Sequence, residues 1–300
     1  MNKYNSIQLF FLVVALTLFQ TTLCAQVDEN AAKSGQINLR FLQPETIQAR
    51  LDRYKGDDTK REAALRQMFM DAGCAEANLT EQRVPYRKQP NVICVMRGSS
   101  AETVVVGAHF DHAEIGQGIV DNWSGASLLP SLLESLKGVP RKHTFIFVGF
   151  TGEEDGELGS EFYVKELPAE QMANVVAMVN MDSLGLGPTL VWMSRSDPVL
   201  VKGLDLSAQA LKLPLAAMNV DGFGQSDEEP FIRKKICTVT VHSVTTATAR
   251  VLHHAADNPS AIRFSDYYGT YRLLAGYLAL LDYLPTGEKR ICKVAPILPN

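Results

Sequence analysis

Three apolar segments of this sequence stop at ionisable side chains, and this pattern restricts the fold more than any other feature. The segments and the groups that follow them are 103–108 with His109 and Asp111, 144–150 with Glu153 and Glu154, and 175–181 with Asp182. Short runs rich in Val, Ile and Phe are typical of buried parallel strands. Because functional groups lie beyond the carboxyl ends of such strands, we expect these side chains to meet at one sheet edge. Imidazole and carboxylate groups gathered in this way suit a divalent metal.

The rest of the sequence predicts helices between strands. Helices are expected within 43–73, at about 124–137, near 158–166, over 197–211 and over 262–284, and further strands within 79–97 and over 238–242. This alternation, without an internal repeat or a long linker, is typical of one α/β domain. We therefore predict a single-domain α/β sandwich over residues 41–300, in which a mixed, mostly parallel central sheet is flanked by helices on both faces.

The composition excludes some classes of function. The 300 residues are 46% hydrophobic and 21% charged, which is ordinary for a globular protein with a substantial core. The formal net charge is -4, and no run rich in Lys or Arg occurs. Because nucleic-acid binding requires a basic face, we expect no nucleic-acid partner. The sequence alone does not predict an oligomeric state.

Residues 1–25 are typical of a secretory signal peptide, with an uncharged apolar stretch over 9–19 and the small residues Cys24 and Ala25 near a cleavage point. The alternatives are an uncleaved membrane anchor, for which the apolar stretch is short, and lipidation of Cys24. We therefore expect export to the periplasm or the extracellular space, with no membrane span once the signal is removed. The polar residues 26–40 are expected to be loosely ordered.

The cysteines that remain after signal removal allow more than one arrangement. They are Cys74, Cys94, Cys237 and Cys292. In an exported protein they could form disulfides with any of three connectivities, or they could be free buried thiols. Their spacing is not that of a zinc finger or zinc ribbon, and we predict no particular pairing.

Each charged motif has an ordinary explanation when it is considered alone. Asp121 could cap the helix that follows it, and Asp182 could cap a turn in the same way. Glu153 and Glu154 could lie in a solvated turn, and His253 could be an exposed loop histidine. The evidence for a site is therefore the coincidence of these motifs in one chain.

Taken together, the motifs resemble those of a known family. In chain order they are His109-x-Asp111, Asp121-Asn-x-Ser-Gly, Gly152-Glu153-Glu154, Asn180-Met-Asp182 and His253-x-x-x-Asp257. This order is similar to that of the co-catalytic zinc aminopeptidases of metallopeptidase family twenty-eight. The resemblance extends from about Asn91 to Leu284 and includes a Ser226-Asp227 motif. It implies the α/β sandwich that the strand pattern also predicts.

The resemblance implies a metal-binding role for five residues. His109 and Asp182 would bind one zinc ion, Glu154 and His253 would bind a second, and Asp121 would bridge the two. Two metals held in this way can polarise a peptide carbonyl and lower the pKa of a water molecule. Cobalt or manganese could occupy the same ligands.

Two further residues have implied catalytic roles. Asp111 would orient the imidazole of His109 from behind, as carboxylates beside metal-binding histidines do. Glu153 would be the general base, taking a proton from water and returning it to the leaving amine. Of the adjacent His253 and His254, we select His253 as the ligand because its spacing to the following Asp fits the motif.

Two positions depart from the family pattern. Leu252 stands where many relatives have a Tyr that assists the oxyanion, and we expect Tyr267 and Tyr268 to be packing residues rather than substitutes. Glu228 stands where the Ser-Asp motif commonly continues with His, which affects the substrate loop rather than the metals.

The resemblance implies an exported exopeptidase that removes N-terminal residues from peptides with a free N-terminus. One alternative is a glutaminyl cyclase, which uses a single zinc ion and forms N-terminal pyroglutamate. The sequence after Asp121, Asn-Trp-Ser-Gly, is typical of the peptidases and favours two metals and hydrolysis. A second alternative is a binding protein with an inactive site, against which the complete set of ligands argues.

Overall fold

The computed structural model describes residues 4–10, 36–54, 56–138 and 141–283. Within these ranges the strands are β1 (Tyr4–Phe10), β2 (Gln36–Leu42), β3 (Leu79–Gln82), β4 (Asn91–Met96), β5 (Thr103–His109), β6 (Thr144–Phe150), β7 (Val175–Met181), β8 (Thr189–Val191), β9 (Leu215–Ala217) and β10 (Thr238–His242). The α-helices are α1 (Pro44–Leu51), α2 (Asp58–Asp71), α3 (Ser124–Leu136), α4 (Leu158–Glu166), α5 (Ala169–Asn174), α6 (Pro198–Leu211), α7 (Glu229–Arg233) and α8 (Phe264–Leu281).

Eight of these strands form one mixed sheet in the order β3-β4-β6-β5-β7-β10-β8-β9. The central strands β6, β5, β7 and β10 run parallel to one another. Strand β4 lies antiparallel to β6 on one side, and β8 lies antiparallel to β10 on the other. This architecture confirms the predicted α/β fold with a mixed, mostly parallel sheet.

Strand β5 lies at the centre of the sheet and is buried along its whole length. Val104 and Val106 belong to a core cluster that includes side chains of α3 and α8. Val105 belongs to a second cluster, which includes side chains of α4 and α7. Successive residues of a strand point to opposite faces, so an unbroken apolar run is what a strand covered on both sides requires. The helices therefore flank both faces, as predicted.

The N-terminal part of the described chain differs from the prediction. Residues 36–40 were expected to be loosely ordered, but they belong to β2, which pairs antiparallel with β1. The reason is local hydrophobicity, because Leu39, Phe41 and Leu42 are buried where β2 contacts α3 and α8. Apart from β1, the predicted signal peptide and the segment 26–35 lie outside the described residues, so signal cleavage stays a prediction. No helix in the described ranges is long and apolar enough to cross a membrane.

A disulfide joins the end of α2 to β4. It links Cys74 and Cys94, whose Cα atoms are 6.3 Å apart and whose sequence separation is 20 residues. Cys237 is also disulfide-bonded. The sequence left the alternatives of paired and free cysteines open, and the structure favours pairing for these three residues.

Replacing both Cys74 and Cys94 by Ser is expected to lower the free energy of unfolding by about 3 kcal/mol, because the cross-link restricts the unfolded chain. The measurement is urea-induced unfolding of the oxidised double variant and the oxidised parent, compared at equal ionic strength. A reducing agent cannot replace the mutations, since it would also break the disulfide of Cys237. Equal unfolding midpoints for the two proteins would contradict the expectation.

Candidate metal centre

The three apolar strands end at the same edge of the sheet. In the parallel ladder His109 of β5 stands beside Phe150 of β6, and Gly107 stands beside Asn180 of β7. The charged residues that follow these strands in sequence therefore meet in space, as the strand pattern predicted. The loops beyond these strand ends place the other candidate groups around His109.

The imidazole of His109 is 1% exposed and faces carboxylates on both sides. Its Nε2 lies 3.3 Å from Asp121 Oδ1 and 3.7 Å from both Glu153 Oε2 and Asp182 Oδ1. Its Nδ1 lies 3.6 Å from Asp111 Oδ1 and 3.3 Å from the carbonyl oxygen of the same residue. One ring nitrogen therefore points into the cluster, and the other is held from behind.

Asp121 lies between the two histidines. Its Oδ2 is 3.1 Å from His253 Nε2, whereas its Oδ1 is on the side of His109. His253 Nε2 is also 3.1 Å from Glu154 Oε2. The structure thus brings all five predicted metal ligands together, with the two imidazoles on opposite oxygens of one carboxylate.

The chemistry of these residues fits a divalent metal. His109 Nε2 is buried and has no hydrogen-bond partner among the described residues, although it faces carboxylates. Two groups of three side chains have potential ligand atoms within 4.8 Å of one another, and both contain His109: one with Glu153 and Asp182, the other with Asp121 and Glu154. Imidazole nitrogens and carboxylate oxygens in such groups are the ligands of zinc sites that perform hydrolysis.

The electrostatics of the cluster favour positive charge at its centre. Burial lowers the pKa of His109, but Glu153 and the other carboxylates around it outweigh this effect and raise the pKa well above its usual value. Hydrogen bonds to Asp121 and Glu154 raise the pKa of His253 to about 10. Burial also raises the pKa of Glu153 well above its ordinary value. Bound cations would neutralise the charge of the same carboxylates that raise the pKa of the two imidazoles.

Two carboxylates outside the cluster hold its loops in place. Asp111 accepts hydrogen bonds from the backbone amides of Glu153 and Glu154, each at 3.3 Å. Asp257 accepts hydrogen bonds from three successive amides that end at Asp121, at 2.9, 2.8 and 3.1 Å. Asp257, the last residue of the His253-x-x-x-Asp257 motif, therefore fixes the segment that carries Asp121. The sequence did not indicate this role.

The carboxylate of Asp182 is also supported. It accepts hydrogen bonds from the hydroxyls of Ser226, at 2.7 Å, and Ser183, at 3.0 Å. Asn180 Nδ2 donates to Ser226 Oγ at 3.0 Å and to Oε2 of the fully buried Glu228 at 2.8 Å. Glu228 therefore supports a predicted metal ligand through Asn180 and Ser226, rather than only the substrate loop with which its position in the sequence was associated.

Arg61 of α2 supports the segment between His109 and Asp121. Its side chain is 1% exposed, and its guanidinium donates to the carbonyls of Phe110 at 3.2 Å, Gly118 at 3.0 Å and Gln117. The Nε group donates to the carbonyl of Tyr54, in the segment before α2, at 3.1 Å. No pattern near Arg61 in the sequence indicated this role.

Three neighbouring residues, Tyr267, Tyr268 and His254, form their hydrogen bonds outside the cluster. The hydroxyl of Tyr267 hydrogen-bonds in the core to Ser127 Oγ, at 2.8 Å, and that of Tyr268 donates to the carbonyl of Leu42 at 2.9 Å. Both are packing residues, as predicted. His254 is exposed, and its Nδ1 lies 2.8 Å from the carbonyl oxygen of Leu252. Between the two adjacent histidines, only His253 thus faces Asp121 and Glu154.

A cavity of about 460 Å³ opens beside the cluster. Trp192, Val220, Val244 and Leu252 line it together with His242. His242 Nε2 lies 2.9 Å from the carbonyl oxygen of Met218, and its Nδ1 accepts a hydrogen bond from a backbone amide at 3.1 Å. Burial lowers the pKa of His242, so this ring presents a neutral surface to the cavity.

Comparison with known families gives one match that covers most of the domain. Residues 91–276 match the model of the family described as Peptidase family M28. The matched region begins at β4, ends within α8 and contains all seven predicted site residues.

Curated relatives match over shorter lengths. Aminopeptidase YwaD of Bacillus subtilis (strain 168) is 29% identical over 166 residues, which are 52% of this chain and 34% of that protein. The chain spans about a third of the length of the first curated relatives that it matches.

Solved structures share the fold. The crystal structure of the LapA aminopeptidase of Legionella pneumophila superposes with a TM-score of 0.71 at 18% identity, covering 88% of this chain and 78% of that one. The glutaminyl cyclase of an Acidobacteriales bacterium gives a TM-score of 0.66 at 16% identity, covering 89% of this chain and 99% of that one. At such identities the likeness concerns the fold alone.

Proposed function

The chain belongs to peptidase family M28, and from this membership we propose that it is a zinc-dependent aminopeptidase that removes the N-terminal residue of peptides. One observation carries the proposal: the imidazoles of His109 and His253 face opposite oxygens of the Asp121 carboxylate, at 3.3 and 3.1 Å. A carboxylate shared in this way is what a pair of metal ions requires.

The proposed ligands divide into two sets. His109 and Asp182 would hold one zinc ion, Glu154 and His253 would hold the other, and Asp121 would bridge them. When bound, the zinc pair would polarise the scissile carbonyl and lower the pKa of a water molecule. The amides that donate to Asp111 and Asp257 fix the loops on which these ligands stand.

Glu153 is the proposed general base. Its carboxylate lies on the His109 side of the cluster, 3.7 Å from Nε2, and lines the cavity, whereas Glu154 lies against His253. From this position Glu153 would take the proton of the attacking water and return it to the leaving amine. Asp111 would hold the imidazole of His109 in one orientation through Nδ1.

The cavity indicates where the first side chain of the substrate would lie. Trp192, Val220, Val244 and Leu252 are apolar, and burial lowers the pKa of His242 and so keeps its ring neutral. The acidic side chains that line the same cavity would attract the ammonium group of a free N-terminus and repel an acidic first residue. We therefore assign the pocket to large neutral side chains.

Export remains part of the proposal. Cys74, Cys94 and Cys237 are all disulfide-bonded. Disulfides of this kind persist in oxidising compartments and are rare in the cytosol. This supports the periplasmic or extracellular location that residues 1–25 predict.

The experiment that tests the function combines metal removal with a substrate panel. The chelated protein is expected to be inactive and to regain hydrolysis of aminoacyl reporters when about two equivalents of zinc are restored. Reporters with Leu, Met or Phe are expected to be cleaved faster than those with Asp or Glu. A zinc-loaded protein that cleaves none of the panel would contradict the proposal and favour a binding protein with an inactive site.

Glutaminyl cyclase activity is the second candidate. It is kept because the superposed cyclase structure shares the fold over 89% of this chain. Mass spectrometry of peptides with N-terminal Gln separates the candidates, because cyclisation releases ammonia and leaves every residue in place, whereas hydrolysis releases the first residue. Pyroglutamate formation at about one zinc equivalent, without cleavage, would favour the cyclase.

A further inference from the structure

Arg87 connects three segments around the metal centre. It lies on the loop between β3 and β4, and its guanidinium is 3.4 Å from Asp58 Oδ2 and 3.9 Å from Asp111 Oδ2. It also donates a hydrogen bond to Asp155. These carboxylates belong to the start of α2, the segment after β5 and the segment after β6, and we call the four residues the Arg87 bridge.

The bridge reaches the loop that carries the proposed base. Asp155 directly follows Glu153 and Glu154 in sequence, and the stem of Arg87 packs against Gly152. A Cβ atom on Gly152 would lie 3.0 Å from Arg87 Cδ, and its φ of +71° also favours glycine. Arg87 therefore contacts this loop on both sides of the two glutamates.

The bridge also reaches the carboxylate behind His109. Asp111 is 1% exposed and accepts the amides of Glu153 and Glu154 while its Oδ1 faces His109 Nδ1. The guanidinium of Arg87 is nearest to the other oxygen of this carboxylate, Oδ2. One cation thus lies beside the group that couples the imidazole to the loop.

We propose that Arg87 is a positioning residue that fixes the segment 151–155 and Asp111 against each other, so that Glu153 and Glu154 remain directed into the metal centre. The inference rests on the proposed function, since it assigns Arg87 to the support of the general base. Arg87 touches neither the substrate pocket nor the ligand atoms of the cluster. Its planar fork spans Asp58 and Asp155 together, which a lysine ammonium, as a point charge, cannot do.

The test compares Arg87→Ala and Arg87→Lys with Arg83→Ala, an exposed arginine on the same loop that serves as the matched control. In metal-free protein, the amides of Glu153 and Glu154 are expected to exchange hydrogen about tenfold faster in Arg87→Ala, because their acceptor Asp111 is no longer fixed. With zinc restored, kcat is expected to fall about 10- to 100-fold with little change in KM. Arg87→Lys is expected to restore the slow hydrogen exchange and the kcat of the parent only in part. Arg83→Ala is expected to match the parent in both measurements.

Unchanged exchange and unchanged kcat in Arg87→Ala would overturn the inference. So would equal losses in Arg87→Ala and Arg83→Ala, or a loss that matches the unfolded fraction measured by circular dichroism. If the parent protein cleaves no peptide, the aminopeptidase proposal fails separately. In that case hydrogen exchange of the metal-free variants, which requires neither zinc nor turnover, still decides whether Arg87 fixes the loop.

Discussion

Glu153→Gln is expected to keep its metal and to lose about 10²- to 10⁴-fold in kcat, which is the range that a general base contributes. Glutamine preserves the size of the side chain but cannot accept the proton of the attacking water. KM is expected to change little, because the substitution removes an interaction of the transition state rather than of substrate binding. The measurement is steady-state kinetics on an aminoacyl reporter, with zinc determined on the same sample.

The control is Glu170→Gln in α5, which is exposed and makes no contact in the cluster described above, and its kinetics are expected to match those of the parent. The metal analysis discriminates between two roles of Glu153. Because Glu153 can also group with His109 and Asp182 as a set of potential ligands, loss of one zinc equivalent in Glu153→Gln would identify it as a ligand. Full activity in this variant would exclude both roles.

His253→Ala is expected to reduce the bound zinc from about two equivalents to about one and to lower kcat/KM by at least about 10²-fold. The physical reason is that His253 Nε2 lies 3.1 Å from both Asp121 Oδ2 and Glu154 Oε2, so its removal takes the imidazole out of the second proposed ligand set. The zinc content is measured after dialysis against a weak chelator, and the kinetics are measured before and after excess zinc is added.

His254→Ala is the matched control, since this residue is adjacent, exposed and directed at a backbone carbonyl. It is expected to retain both zinc equivalents. If His254→Ala loses metal and His253→Ala does not, the assignment of the two neighbours is reversed. If both variants retain both zinc equivalents, the loop before α8 that carries these two histidines provides no metal ligand.

The sequence predicted the parts of the fold in which hydrophobic residues recur with a clear period or form a long apolar run. Strand β5 buries all seven of its residues, and β6 and β7 each bury five of seven, so the ionisable residues after them could be placed at one edge. Strands β8 and β9 were not predicted, because each has only three residues and so shows neither alternation nor a run. Strand β2 was missed because its pairing partner lies within residues assigned to a signal peptide.

The candidate site likewise contains residues that the sequence predicted and residues that it did not. The groups of the cluster belong to short motifs that are visible in sequence, and the structure brings His109, Asp121 and His253 together as those motifs implied. The supporting arginines had no such signal. Arg61 and Arg87 act through tertiary contacts with segments about 24 to 68 positions away, and nothing in the neighbouring sequence distinguishes them from surface arginines.

Arg61 also limits how far the chain can be shortened at its N-terminal side while the metal centre keeps its support. It lies upstream of residues 91–276, yet its guanidinium provides the donors for carbonyls of Phe110, Gln117 and Gly118. A fragment cut at the edge of the matched region would bury these acceptors without donors, at a cost of about 1–3 kcal/mol for each. A truncated protein therefore needs to begin before α2, and Arg87 then also lies within the retained part.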